Sequence, residues 1–441
     1  MAHRFKKIFL FIGDLAILNL ALLLTLSIRY PVNVRSGQWQ NHWPSFLAVF
    51  IIWLLILNIN DLYNLNLRTN SRRFIRLAFN TALASGLISV LYFYLNPRTA
   101  IAPKTNLLIF TALFFGLFLL WRYLFQALSR TFIPRDNLAI IGLNQRTEKL
   151  LEELKKRPAA GYETALIFKN ATELENLATN IREKNIRTIV IVDDFGQSDA
   201  LREALFACLG EKITFFNYPD FYESITGKIP VEAIDAEWFL NNLQEGHKNY
   251  FNFLKRSADI FFAGLGLLLS LPAWLMFALL IKINSRGPIF FRQTRLGQNG
   301  QEFRIIKFRT MRTENNDAAP TRKNDARITK VGAFLRRSHL DETPQVINIL
   351  RNEMSFIGPR PERPEIVAEL ERRIPFYKTR LFIKPGITGL DQVSGHYHSA
   401  GVDDTLEKLQ YDLFYLKNRS LYLDFSIALK TLTAVFRRQG R

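Results

Sequence analysis

The chain has 441 residues, 48% of them hydrophobic and 37 of them phenylalanine, yet Lys and Arg outnumber Asp and Glu by 58 to 39. That balance excludes a simple soluble globule and points to membrane segments joined to a basic surface suited to anionic lipid head groups; the apolar segments argue against nucleic acid. The single cysteine, Cys208, rules out an internal disulfide and a cysteine-based metal site, and it is read as a small core residue.

Residues 8–28, 44–59, 74–95 and 106–124 form four apolar stretches, each close to the roughly 20 residues a helix needs to cross the hydrocarbon core. They predict four transmembrane helices in a domain spanning 1–135. The first is too long for a signal-peptide h-region, and no small-residue cleavage site follows Tyr30. Arg4, Lys6 and Lys7 precede it, Arg68, Arg72, Arg73 and Arg76 lie between the second and third spans, and Arg122, Arg130 and Arg135 mark the end of the fourth. The positive-inside rule then places the N-terminus and everything after Arg130 in the cytoplasm. Asp14, inside the first span, needs a partner or a place near the interface, and is read as a packing contact rather than a transport site.

From Asn137 the pattern alternates: "LAIIG", a helix near 145–157, "ETALIF", a helix near 172–184, "TIVIVDD", a helix near 197–208, and "ITFFNY". This predicts a small Rossmann-like α/β domain over 136–245. Its first turn, "IIGLNQRT", carries Asn144 and Thr147 where glycines would let backbone approach a pyrophosphate, and Phe168 and Lys169 stand where a ribose-binding acid belongs. The domain is therefore read as degenerate, with a regulatory or oligomerising role.

The apolar run 260–283 is long enough to span. A fifth crossing, however, would carry Lys282, Arg286, Arg292 and Arg295 to the face that basic loops avoid. Pro272 sits mid-run behind Ser270, where it removes a helical hydrogen bond, and the serine hydroxyl is available to a freed carbonyl. The expectation is a broken, re-entrant helix near 257–283 that enters and leaves by one face, with Lys255 and Arg256 at the head groups. The C-terminal run 411–438 reads as one or two amphipathic helices lying on the interface.

The chemical centre is the stretch 333–362, "AFLRRSHLDETPQVINILRNEMSFIGPRPE". Asp341 and Glu342 open an amphipathic helix whose first backbone N–H groups are free, a position that favours anions. Taken alone, a D-E-T-P sequence is most simply a helix cap. Cations surround this one: Lys307 and Arg309 in "KFRTM", Arg336 and Arg337 before the dyad, Arg360 in "GPRP" after it. The glycines of "KPGITGLDQVSG" leave two readings open, a structural turn or part of a nucleotide pocket, with Lys384, Gln392 and Ser394 as candidate contacts.

Three segments occur in one order and spacing: "KRSADIFFAGLGLLLSLPAWLMFALLIKINSRGPIFFRQTRLGQNGQEFRIIKFRTM" (255–311), "LDETPQVINILRNEMSFIGPRPERPE" (340–365) and "KPGITGLDQVSG" (384–395). Together they resemble the bacterial sugar transferases, the polyprenyl-phosphate phosphoglycosyl transferases. The resemblance implies an α-rich catalytic domain over 246–441 with a membrane helix bent at a Ser-Pro element, here Ser270 and Pro272. It implies transfer of a hexose 1-phosphate, galactose or glucose, from a UDP-sugar to undecaprenyl phosphate, the step that starts an exopolysaccharide, capsule or O-antigen. Asp341 is then the nucleophile, Glu342 either a base or a ligand organiser, and Mg²⁺ the cofactor, held by Asp341. The implied setting is a homodimer in the bacterial inner membrane with its catalytic domain on the cytoplasmic face. Family members often carry a small residue where this chain has Asp391, which weakens any nucleotide contact there. Two other readings are a nucleotide-sugar oxidoreductase or epimerase working through the α/β domain, which the glycine pattern opposes, and a transporter or scaffold, which leaves the dyad unexplained.

Overall fold

In the computed structural model, the described residues are 2–60, 62, 63, 69, 71–96, 104–132, 136–169, 173, 177–192, 199–243, 248–312, 325–394 and 402–436. Arg68, Arg135 and Gly395 lie outside them, as do the side chains of Arg4, Lys6, Lys7, Arg73 and Arg130. The chain divides into two compact units, Met1–Phe221 and Tyr222–Arg441.

The first unit begins with four long helices, α1 (Ala2–Arg29), α2 (Arg35–Ile59), α3 (Arg72–Leu95) and α4 (Lys104–Phe132). Each contains a stretch long and apolar enough to cross a membrane. They bury one aromatic stripe, with Phe46, Phe50, Trp53, Phe110, Phe114 and Phe118 almost wholly enclosed, while Leu23, Ile51, Leu87 and Leu108 remain exposed. Apolar residues all round a helix suit lipid on the outer face and packing on the inner one. α2 starts nine residues before Pro44, so the proline lies inside the helix and not at its start. Asp14 and Arg122 are both buried and pair at 2.8 Å between α1 and α4. Arg122 therefore serves as a partner for Asp14, stacked 4.4 Å over Phe118, instead of marking a head-group surface.

The same unit contains β1 (Asp136–Ile141), α5 (Gln145–Lys156), β2 (Tyr162–Phe168), α6 (Leu177–Glu183), β3 (Ile186–Ile191), α7 (Asp199–Ala207) and β4 (Thr214–Asn217). The strands form a parallel sheet in the order β2-β1-β3-β4. At its first turn Asn144 Oδ1 accepts from the backbone N–H groups of Arg146 and Thr147, and Thr147 Oγ1 donates to Gly142 O at 2.9 Å. The donors that a pyrophosphate would use at the start of α5 are thus occupied by the chain's own side chain.

After α8 (Tyr218–Thr226) and α9 (Ala236–Asn242) comes the 36-residue α10 (Asn249–Asn284). It is helical throughout, so the expected break at Ser270 and Pro272 is absent as a break in secondary structure. Pro272 lies inside the helix, and Ser270 Oγ donates to Leu267 O at 3.1 Å, one residue from the Leu268 carbonyl that a proline at 272 leaves without its N–H. Residues before and after Pro272 pack on the same neighbour: Arg256 donates to the carbonyls of Ile349 and Leu350, and Trp274 Nε1 to Thr343 Oγ1 at 3.1 Å.

An antiparallel hairpin, β5 (Phe290–Leu296) with β6 (Glu302–Phe308), precedes α11 (Lys330–Arg337), and α12 (Val346–Leu350) follows the dyad. β7 (Ser355–Ile357) pairs in parallel with β8 (Gly386–Thr388), on either side of α13 (Pro364–Arg373); α14 (Leu390–Val393), α15 (Val402–Asn418) and α16 (Leu421–Phe436) close the chain. Two cores result. One joins α10, the hairpin, α11 and α12 through Trp274, Phe277, Phe308, Leu335 and Ile349. The other joins α13, α15 and α16 to Ile229, Val231, Ile234 and Trp238 of the segment after α8. That segment packs within the second compact unit, which begins at Tyr222.

Candidate active site

The dyad stands on a short 3-10 turn, Leu340–Gln345, which opens after His339 in a left-handed conformation (φ 56°) and includes Pro344. With three residues per turn, positions i and i+3 eclipse, so Glu342 and Gln345 share one edge. Asn348, fully buried on α12, fixes this piece against β6: its Oδ1 accepts from Ile306 N at 3.1 Å, and its Nδ2 donates to Arg304 O at 2.8 Å and Glu353 Oε2 at 2.6 Å. Holding Ile306 holds its neighbour Lys307, whose Nζ lies 2.6 Å from Glu342 Oε1. Arg360 reaches the same oxygen at 3.3 Å from the loop after β7.

The two carboxyls are driven apart electrostatically. Burial works to raise Glu342, but the charges of Lys307 and Arg360 and the Lys307 hydrogen bond outweigh it and hold the group at about 2. For Asp341, burial and the adjacent Glu342 charge raise the carboxyl above its ordinary value, with Lys307, Arg336 and His339 opposing. Neighbouring carboxyls shifted in opposite directions are a pattern of divided roles.

Glu342, Lys307 and Arg360 line a recess together with Arg295 and Gln345, and Ile305 and Ile387 give it apolar walls. Arg295 and Gln345 were not among the residues expected from sequence. The signal for Arg295 was strand alternation across the "GQNG" turn: Arg295 pairs with Phe303 and Gln293 with Ile305, which puts Arg295 on the face that carries Lys307. Its guanidinium is braced by Pro361 O at 3.2 Å and Gln293 Oε1 at 2.7 Å.

The other expected residues divide. Arg336 is near Asp341 and anchored to Thr310 Oγ1 at 2.8 Å, whereas Arg337 is exposed at the end of α11. Arg309 is not at the dyad: it is buried and donates to the carbonyls of Ser285 and Arg286, both at 2.7 Å, capping the end of α10. Lys384 bonds Asn352 Oδ1 at 2.5 Å, Gln392 accepts from Gly389 N, and Ser394 donates to Asp391 O. All three make local structural bonds. The glycines of this segment serve close approach: a Cβ on Gly386 would fall 2.2 Å from Gly358 N, and one on Gly389 2.6 Å from Gly358 O. These close approaches, at the β7–β8 pairing, fit the structural-turn reading.

Among the described residues no group of three or more His, Cys, Asp or Glu side chains is placed to hold a metal ion. Among the described residues Glu342 pairs with Lys307 and Arg360, and Asp341 forms no ion pair. Of this set Asp341 would be the residue to hold Mg²⁺, with the remaining ligands supplied by substrate phosphate.

Residues 250–438 match the family described as "Bacterial sugar transferase", and residues 58–195 match one described as "CoA-binding domain". A UDP-N-acetylgalactosamine-undecaprenyl-phosphate N-acetylgalactosaminephosphotransferase of Aeromonas hydrophila is 36% identical, over 57% of this chain and 59% of its own. UDP-glucose:undecaprenyl-phosphate glucose-1-phosphate transferases of Xanthomonas campestris pv. campestris and Klebsiella pneumoniae are each 32% identical, over 68% and 71% of this chain and 66% and 72% of their own lengths. The matched stretch thus spans less than two thirds of the length of the first two of these relatives, 59% and 66%. With the dyad, its cations and this similarity in agreement, the chain belongs to the bacterial sugar transferase family.

Proposed function

We propose that the chain transfers a hexose 1-phosphate from a UDP-sugar to undecaprenyl phosphate, releasing UMP and starting a bacterial exopolysaccharide, capsule or O-antigen. The observation that carries this is the pairing of Glu342 with Lys307 and Arg360 beside the poised Asp341, at a recess that also holds Arg295. Phosphoryl transfer needs positioning and charge neutralisation more than acid–base strength, and this recess supplies cations for the diphosphate.

In the first step a carboxylate oxygen of Asp341 attacks the phosphorus that bears the sugar. The P–O bond to UMP breaks, its electron pair leaves with UMP, and a phospho-sugar acyl phosphate forms. An oxygen of undecaprenyl phosphate then attacks the same phosphorus, giving undecaprenyl diphosphate sugar and restoring the Asp341 carboxylate. Glu342, fixed as an anion, holds Lys307 and Arg360 in place for the diphosphate oxygens. Mg²⁺ bound by Asp341 and phosphate would add charge neutralisation.

The same proposal extends to setting. Helices α1–α4 cross the inner membrane four times, α10 enters and leaves by the cytoplasmic face, anionic lipid meets the basic flanks, and the chain works as a homodimer. Support for the re-entrant helix comes from the docking of both halves of α10 on the Thr343–Leu350 segment. An oxidoreductase reading is not favoured, since Asn144 occupies the donors at the start of α5. The sugar is galactose or glucose; the relatives named above act on UDP-glucose and UDP-N-acetylgalactosamine. The test is UMP release from purified protein given polyprenyl phosphate and each of these UDP-sugars. Release with none of them would overturn the proposal.

A further inference from the structure

Gln345 is 2% exposed, and among the described residues no hydrogen bond involves its carboxamide. It nevertheless lines the recess beside Glu342, Lys307 and Arg360. Almost every buried polar side chain in a folded protein finds a partner in the chain, in water or in a ligand. The Gln345 carboxamide is not among the fully enclosed polar atoms that lack a partner, which fits a side chain bordering the recess. Its neighbours in the 3-10 turn include Pro344, which has no N–H to give, and the nearby Asn348 amide is already committed to β6 and Glu353.

The kind of partner follows from chemistry and position. Lys307, Arg295 and Arg360 already offer cations for phosphate oxygens, whereas a carboxamide is neutral and both donates and accepts. It matches a neutral group of the same dual character, which a sugar hydroxyl is. Gln345 lies one 3-10 turn beyond Glu342, close to where the reacting phosphorus must sit, and the sugar is bonded to that phosphorus through one oxygen. The uracil lies on the far side of the second phosphate and the ribose. Ile305 and Ile387 on the walls suit the C–H face of a pyranose.

We infer that Gln345 is a sugar-positioning residue, its carboxamide hydrogen-bonded to a hydroxyl of the hexose carried on the transferred phosphate. The inference rests on the transferase reading above and adds the group that recognises the sugar. A polar group built into a site to meet a substrate hydroxyl discriminates strongly, because it is left unpaired when the hydroxyl is missing.

The experiment compares UDP-hexose with UDP, which lacks the sugar. Dissociation constants for UDP-glucose, UDP-galactose and UDP are measured by calorimetry on full-length detergent-solubilised protein carrying Asp341→Asn, which stops turnover. They are repeated with Gln345→Met added, a change that keeps length and removes the amide. The expected result is about tenfold weaker binding of the preferred UDP-hexose, the scale of one hydrogen bond between neutral groups, with UDP unchanged. Parallel weakening of UDP and UDP-hexose, or no change in either, would overturn the assignment. If Gln345→Met binds neither nucleotide, Gln345→Asn is read by the same ratio. An Asp341→Asn parent that binds none of the three would overturn the transferase reading itself, a failure distinct from that of Gln345.

Discussion

Arg380 donates to the backbone carbonyl of Arg360 at 3.0 Å, while the side chain of Arg360 reaches Glu342 at 3.3 Å, so a buried guanidinium stands one residue behind the dyad. Asp412 of α15 holds Arg380 at 2.8 Å, and Arg380 also donates to the Tyr377 hydroxyl at 2.8 Å. Arg380→Met leaves Asp412 buried and unpaired, at an expected cost of about 3–5 kcal/mol. Adding Asp412→Leu should restore much of the melting temperature, since an apolar pair can replace a buried ion pair. It should not restore kcat/KM, expected to stay down about tenfold, because the Arg360 carbonyl remains unbraced. Wild-type turnover in a stable double variant would show that the brace is not needed.

The pH dependence of stability has a definite sign at Glu342. Its folded value of about 2 lies below the ordinary 4.5, so the stabilisation is fully present above about pH 4.5 and is lost as pH falls toward 2. Linkage puts that contribution on the order of 3 kcal/mol at neutral pH, to order of magnitude. The melting-temperature gap between wild type and Glu342→Gln, measured in EDTA, should be constant above pH 5 and shrink toward pH 3. Lys307→Met removes the main opposing charge and should shrink the gap at neutral pH. A gap independent of pH would mean that the Lys307 pairing does not set the state of Glu342.

The dyad and two of its cations, Lys307 and Arg360, were legible because each stands in a short segment whose charges have no other local use. Arg309, Lys384, Gln392 and Ser394 looked equivalent in sequence, yet Arg309 donates to carbonyls at the end of α10 and the other three make local hydrogen bonds. A capping role depends on which carbonyl lies open nearby, and for Arg309 those are the carbonyls at the end of α10, more than twenty residues away in the chain. Arg380, Asn348 and Gln345 were missed for the converse reason. Their importance comes from burial and from non-local partners that no spacing encodes. The four long helices and the parallel sheet were readable from apolar length and strand–helix alternation, signals that are local. The unbroken course of α10 through Pro272 was not, because one missing hydrogen bond in a 36-residue helix is a small fraction of its stabilisation.

The connector after α8 decides where the catalytic part can be cut. Ile229, Val231, Ile234 and Trp238 are buried against Leu409, Leu413 and Leu416, Lys228 pairs with Glu407, and Lys417 pairs with Glu223 at 2.8 Å. A chain beginning at 246 loses all of these. At about 1.5–3 kcal/mol for each buried apolar side chain, the loss exceeds what a marginally stable domain can bear. A chain beginning at Tyr222 should accumulate in membranes and keep UMP release within about tenfold of full length, a barrier change of about 1.4 kcal/mol. The one beginning at 246 should be degraded or inactive. Equal yield and turnover from both would show that the connector is dispensable.

The course of α10 gives the sharpest test of topology. A straight helix from Arg256 to Arg286 would be about 45 Å long, more than the roughly 30 Å of a hydrocarbon core. Yet both ends are gripped by one compact unit: Arg256 donates to Ile349 and Leu350, and Arg309 caps the Ser285 and Arg286 carbonyls. Between them Leu268, Leu269, Leu275 and Leu279 are more than 60% exposed, an apolar surface suited to lipid. Cysteines placed singly at Tyr250 and Asn284, with the buried Cys208 as background, should therefore react with an impermeant maleimide only from the cytoplasmic side of intact cells and inverted vesicles. Periplasmic labelling of Asn284→Cys with cytoplasmic labelling of Tyr250→Cys would mean that α10 crosses the bilayer, and the dyad would then be on the wrong side for nucleotide sugars.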